Sequence, residues 1–96
     1  MSREDRLLLL RPYRSPNAMF SKEEESVMLY DPITGNVSKV SGIGKEIWAL
    51  CDGKRTISDI IGTLYEKYDV QKDVLVGDTL EFVEALMKRG FLLVSK

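Results

Sequence analysis

Residues 26–41 read Ser26-Val27-Met28-Leu29-Tyr30-Asp31-Pro32-Ile33-Thr34-Gly35-Asn36-Val37-Ser38-Lys39-Val40-Ser41, and their order decides the fold class. Residues 26–30 carry the β-branched and aromatic content of a strand. Asp31-Pro32-Ile33-Thr34-Gly35 is turn chemistry, because proline fixes φ and glycine takes positive φ without a steric cost. Residues 36–40 then return as the second arm of a hairpin. Side chains alternate across a strand, so Ser38 and Val40 share one face and Val37 and Lys39 the other. Upstream, Met19-Phe20 is a further short apolar stretch, set off by the charged, solvated loop Ser21-Lys22-Glu23-Glu24-Glu25.

Beyond Ser41 the apolar period changes from 2 to 3.6, the signature of helices. Ser41 is expected as the N-cap of a first helix carrying Ile43, Ile47, Trp48, Leu50 and Cys51 and stopping at Asp52-Gly53. Thr56 with Asp59 three residues on has the form of a capping box. Behind it Ile57, Ile60, Ile61, Leu64, Tyr65 and Tyr68 make one apolar stripe, which predicts a second helix with that stripe buried. A third helix is predicted over residues 72–89, ending at Gly90 and followed by a short strand or extended tail at Phe91-Leu92-Leu93-Val94.

The third helix has more apolar surface than one core needs. At about 100° per residue, Phe82, Leu75, Leu86 and Thr79 form one stripe, and Val83, Val76, Met87 and Leu80 widen it to about 160°. A core-facing helix needs only about 100°. The second stripe therefore meets something else: the strand at 91–94, a second copy of the chain in a homodimer, or a ligand groove.

Residues 1–17 read as a flexible N-terminal segment, polar at its start and interrupted by Pro12 and Pro16, which leaves 18–96 as the folded domain. Leu7-Leu8-Leu9-Leu10 is its anomaly. It either lies on the domain or extends a strand, or it is a docking segment, since four exposed leucines form an unusual patch. It is far shorter than the roughly 20 apolar residues of a membrane span and than the roughly 7–15 of a signal-peptide core. No export or membrane association is expected, and a cytoplasmic setting fits best.

Composition removes most catalytic chemistry. The 96 residues are 44% hydrophobic and 30% charged, enough for one small core. There is no histidine, which excludes a Ser-His-Asp or Cys-His nucleophile, a histidine metal ligand and an imidazole base. Cys51 stands alone, so no intrachain disulfide and no multi-cysteine metal site can form, and its apolar-periodic position suits a buried core thiol. Gly42-Ile43-Gly44 lacks the third glycine of a dinucleotide loop, Asp52-Gly53-Lys54-Arg55 is a charged connector, and Glu23-Glu24-Glu25 lacks a second ligand group. Gly77 inside the third helix costs about 1 kcal/mol relative to alanine, which close packing or a polar-side position would tolerate. Asp78 flanks the apolar arc beside Leu75 and Phe82, as a surface carboxylate or as a partner for a ligand's polar group. No cofactor and no enzymatic activity are expected. Fourteen Lys+Arg against fifteen Asp+Glu give a net charge of −1, which does not suit a chain that lives on nucleic acid.

What remains is a hairpin arm that can act as a sheet edge beside a helix with surplus apolar surface. Such a pair can bind an extended peptide, with the edge supplying backbone hydrogen bonds and pockets supplying sequence choice.

The order of motifs resembles one family. Asp31-Pro32-x-Thr34-Gly35, then Val40-Ser41, then Gly44-x-x-Ile47-Trp48-x-Leu50-Cys51-Asp52-Gly53-x-x-Thr56-x-x-Asp59-Ile60 is similar to the PqqD family, named for pyrroloquinoline quinone biosynthesis protein D. Leu64-x-x-x-Tyr68-Asp69-Val70 and Asp78-x-x-x-Phe82-Val83-x-x-Leu86-x-x-x-Gly90-Phe91 continue the likeness, which covers about residues 18–94. The resemblance implies an α+β, winged-helix-like fold in which a three-stranded antiparallel sheet is followed by three helices. It also implies a RiPP recognition element, which binds the leader of a ribosomally made precursor peptide as an added strand. Such an element presents the leader to a modifying enzyme such as a radical SAM protein, a cyclase or a leader peptidase. Carried over, the peptide-binding residues are Asn36, Val37, Ser38, Lys39 and Val40 on the strand, with Leu75, Val76, Asp78, Thr79, Phe82, Val83 and Leu86 on the third helix. Asp78 matches the family's characteristic acid.

Four positions depart from the family's pattern. Val37-Ser38 stands where two aromatics are common, which leaves more room beside the third helix. Ser41 replaces an asparagine and Lys45 a small residue. Two other functions share this architecture. A winged-helix DNA-binding protein would need a basic recognition helix, yet residues 72–89 hold Lys72, Lys88 and Arg89 against Asp73, Asp78, Glu81 and Glu84. A docking subunit of an enzyme complex would use the apolar surface without reading a peptide.

Overall fold

The computed structural model describes residues 2–95. Its elements are helix α1 (Arg3–Leu8), strands β1 (Arg11–Arg14), β2 (Met19–Lys22), β3 (Ser26–Tyr30) and β4 (Val37–Ser41), helices α2 (Ile43–Leu50), α3 (Ile57–Lys67) and α4 (Lys72–Lys88), and strand β5 (Leu92–Ser95). β2, β3 and β4 form the expected three-stranded antiparallel sheet in that order, with three helices after it, so the chain is α+β. The turn works as its residues suggest. Asp31 Oδ1 accepts from the Ile33 N–H at 2.9 Å, and the Asp31 N–H closes the hairpin on the Asn36 carbonyl at 2.9 Å.

Residues 2–17 do not stand apart as a flexible segment. β1 pairs antiparallel with β5, matching Arg11 to Ser95 and Arg14 to Leu92, in a second, two-stranded sheet. Pro12 is buried within it, and Leu8 and Leu10 pack against the core. A proline is admissible here because a two-stranded ribbon leaves positions whose N–H is not needed. Leu9 alone of the four leucines is largely exposed.

The strand-to-helix junction also differs from expectation. Ser41 is the last residue of β4 rather than a cap; Gly42 occupies the N-cap with φ 59°, and no side chain caps α2. Positive φ there is accessible to glycine and costly for other residues. At the other end of α2, Arg14 Nη1 donates to the carbonyls of Trp48 (3.0 Å) and Ala49 (2.9 Å), taking up orphan acceptors of the last turn. α3 opens on the predicted box: Asp59 N–H donates to Thr56 Oγ1 and Thr56 N–H to Asp59 Oδ2, both at 3.0 Å.

The core joins Val27, Leu29 and Val40 of the sheet to Ile47 and Trp48 of α2 and Ile57, Ile60, Ile61 and Leu64 of α3. Leu75, Val83 and Leu86 of α4, with Phe91 and Leu92, complete it. Tyr65 departs from its stripe and is exposed, with the Lys72 ammonium 5.8 Å from its ring centre. Tyr68 is half-buried, and its hydroxyl and the Lys67 ammonium both donate to the Glu46 carboxylate, fastening α3 to α2.

Candidate functional site

An edge strand has every second residue's N–H and C=O turned away from its neighbour. β4 is such an edge, and the bond from Asp31 to Asn36 sets its phase. Leu29 faces Ser38 and Val27 faces Val40 as the next inward-bonding pairs. The backbone groups of Val37, Lys39 and Ser41 consequently point outward. Their side chains lie on the outer face and are exposed, whereas Val40 is buried on the inner one.

α4 runs along this edge in the opposite sense, held at two points. Its Phe82 ring lies against Gly44, just past the end of β4, so closely that a Cβ on Gly44 would stand 2.8 Å from Phe82 Cε2. At the start of β4, Arg89 Nη2 donates to the Val37 carbonyl at 2.7 Å and Asn36 Nδ2 donates to the Arg89 carbonyl at 3.0 Å. Asp78, Phe82, Ala85 and Arg89 fall within about 60° of arc at ~100° per residue. They form one line of the helix, of which Phe82 and Arg89 reach the two ends of the strand. The channel so formed offers outward backbone donors and acceptors on one side. On the other it offers a half-buried phenyl ring and the charge of Arg89.

Of the residues assigned from sequence, Val37, Lys39 and Phe82 lie at this channel, and Asp78 continues the same helix line one turn beyond Phe82. Five do not. Val40, Leu75, Thr79, Val83 and Leu86 are each 5% exposed or less and pack the core. A position on the correct helix is not a position on its accessible face. Val76 turns the other way, lining a cleft with Glu4 of α1. Val76 of the second stripe thus lies near the N-terminal segment, where Arg3 of α1 also reaches Glu84 at 3.3 Å, whereas Val83 is in the core and Leu80 lines a separate cleft with Lys88. Asn36 lies just before β4 and spends its side-chain amide on Arg89, and Ser38 is half-buried on the inner face. Ser41 and Arg89 border the channel without having been assigned from sequence, and Ala85, on the same helix line, lines a cleft with Leu80 and Glu84. The spacing i+4, i+7 and i+11 from Asp78 carries the signal for the helical pair.

No constellation for bond-making chemistry converges at the channel. Cys51 is buried, donates from Sγ to the Ile47 carbonyl at 3.1 Å, and has its thiol pushed up to about 12, chiefly by burial and against the opposing charge of Arg14. A thiol so placed is not a nucleophile at neutral pH. The carboxyl of Asp52 is held below its ordinary value by the backbone N–H groups of Arg55 and Lys54. That of Asp59 is held down by the Thr56 N–H and hydroxyl. Both serve as caps of the backbone. Glu23, Glu24 and Glu25 are exposed on the β2–β3 loop. Among the described residues no three His, Cys, Asp or Glu side chains gather as a metal site would require.

Comparison with known proteins gives a consistent set. Residues 26–92 match the family described as coenzyme PQQ synthesis protein D (PqqD). A PqqA binding protein of Rhodopseudomonas palustris (strain HaA2) is 38% identical over 50 residues, 52% of this chain and 49% of that protein. The match thus spans about half the length of this curated relative. Two solved structures share the fold, each with a TM-score of 0.77. TbiB1 in complex with the TbiA(beta) leader peptide is 21% identical and covers 83% of this chain and 93% of its own. Lasso peptide synthetase B1 complexed with the leader peptide is 17% identical and covers 86% and 98%.

Proposed function

Because the chain belongs to the PqqD family, we propose that it is a non-catalytic RiPP recognition element: it binds the leader of a ribosomally made precursor peptide as a fourth strand on β4 and delivers it to a modifying enzyme. The observation that carries this reading is the outward backbone of Val37, Lys39 and Ser41 beside the Asp78–Phe82–Ala85–Arg89 line of α4. Strand addition at an open edge gives affinity through main-chain hydrogen bonds, and the helix line gives sequence choice. Both relatives of the same fold were solved with leader peptides, and the curated relative is named for binding PqqA, which supports the same assignment. The acidic balance of α4 disfavours the DNA-binding alternative.

Titration with the leader half of short precursors encoded beside the gene tests the reading. One of them binds the wild-type chain, with amide shifts concentrated at residues 37–41 and 78–89. Lys39→Pro, which removes an outward-pointing N–H while leaving the β3 ladder intact, weakens that binding at least tenfold without unfolding the domain. If every neighbouring leader fails to bind, or if the shifts map elsewhere, the assignment is wrong.

A further inference from the structure

The opposite edge of the sheet carries a second cleft that the channel does not use. It has a volume of about 360 Å³ beside β2 and α2, where the Phe20 and Trp48 rings meet edge to face with centres 6.4 Å apart and planes at 71°. Phe20 is 52% exposed on an edge strand, a costly place for a phenyl ring unless something covers it. Three cations, Arg14, Lys22 and Lys45, line the same cleft and no carboxylate does. Arg14 is anchored by its bonds to the Trp48 and Ala49 carbonyls, and among the described residues neither lysine is in an ion pair. In a chain of net charge −1 this is a marked segregation of positive charge around an exposed aromatic.

We infer that this cleft is a second docking site, taking an acidic segment of the modifying enzyme that carries one apolar anchor for the exposed Phe20 ring. The inference rests on the adaptor reading above. An adaptor that hands one protein to another needs two surfaces that can be filled together. β2 and β4 are separated by β3, about 10 Å from backbone to backbone, so an occupant of one edge leaves the other open. The charge selects the partner. Three unopposed cations favour carboxylates across the interface and steer their approach.

Association of the chain with the modifying enzyme of its gene neighbourhood is measured without precursor, for wild type and for the Lys22→Glu/Lys45→Glu double variant. The double variant should bind the enzyme at least tenfold more weakly, with the wild-type affinity falling as salt is raised, while its affinity for the leader stays within twofold. Trp48 is the only tryptophan, so its emission reports on the cleft directly. A blocked peptide of alternating glutamate and leucine should shift that emission at low salt, and its lysine and leucine counterpart should not. Enzyme binding unchanged by the reversals overturns the inference, as does a leader affinity that falls in parallel or equal responses to the two peptides. A wild-type dimer that dissociates on charge reversal overturns it too, by making a second copy the occupant. Failure of the leader to bind wild type would instead sink the adaptor reading, and the enzyme titration would still be readable.

Discussion

Arg89 and Val37 lie 52 residues apart, yet the guanidinium of the first donates to the carbonyl of the second at 2.7 Å and closes one end of the β4 edge. That carbonyl is one of the outward acceptors an added strand would use. The free chain therefore holds one position of its edge already satisfied, and a bound peptide must either displace Arg89 or stop short of Val37.

Replacing Arg89 with alanine tests which. A hydrogen bond from a charged donor is worth about 1.5–3 kcal/mol, and solvent exposure brings this one toward 1 kcal/mol. Arg89→Ala should free the acceptor and tighten leader binding about two- to fivefold by calorimetry, while lowering Tm by about 4–8 °C per kcal/mol lost. A tenfold loss of affinity would mean that Arg89 itself grips the leader.

Thr79 is fully buried, and its hydroxyl has no hydrogen-bond partner among the described residues. An unpaired buried hydroxyl costs roughly 1–3 kcal/mol, and valine fills nearly the same space without it. Thr79→Val should raise Tm by several degrees in thermal melts and leave leader affinity unchanged. A drop in affinity with the fold intact would return Thr79 to the binding surface.

Stability should be flat across the neutral range and fall at both ends. Asp52 and Asp59 have folded values below the ordinary 3.8, so the unfolded chain takes up protons first and the stability they contribute is lost as pH falls below about 4. Cys51 works in the other direction. Its folded value near 12 exceeds the ordinary 9.0, so the unfolded thiol ionises first and stability declines as pH rises above 9. Urea midpoints measured from pH 2.5 to 10.5 check the window. Cys51→Ala should remove the alkaline component attributed to it, and Asp59→Asn part of the acid limb.

Much of this was legible in the chain. Asp31, Pro32 and Gly35 announce the hairpin, and Thr56 with Asp59 announces the start of α3, because turns and caps are made by residues a few positions apart. Gly42 took the cap expected of Ser41 because β4 runs one residue further, a boundary that local chemistry leaves loose. The N-terminal segment was misread for a related reason. Pro12 and Pro16 look like breaks, but β1 is held by β5, some eighty residues away, and no local pattern records that pairing.

The sequence by itself determined the element types from β2 onward, the absence of a histidine-based catalyst and the family motifs, since composition and periodicity are properties of the chain. The tertiary structure decided which side of α4 is available. Leu75, Thr79, Val83 and Leu86 share a helix with Asp78, Phe82, Ala85 and Arg89, and apolar character suits a core or a groove equally well. Two sequence-distant contacts, Phe82 against Gly44 and Arg89 on Val37, orient the helix so that the first set is sealed from water and the second, through Phe82 and Arg89, reaches the two ends of the open strand.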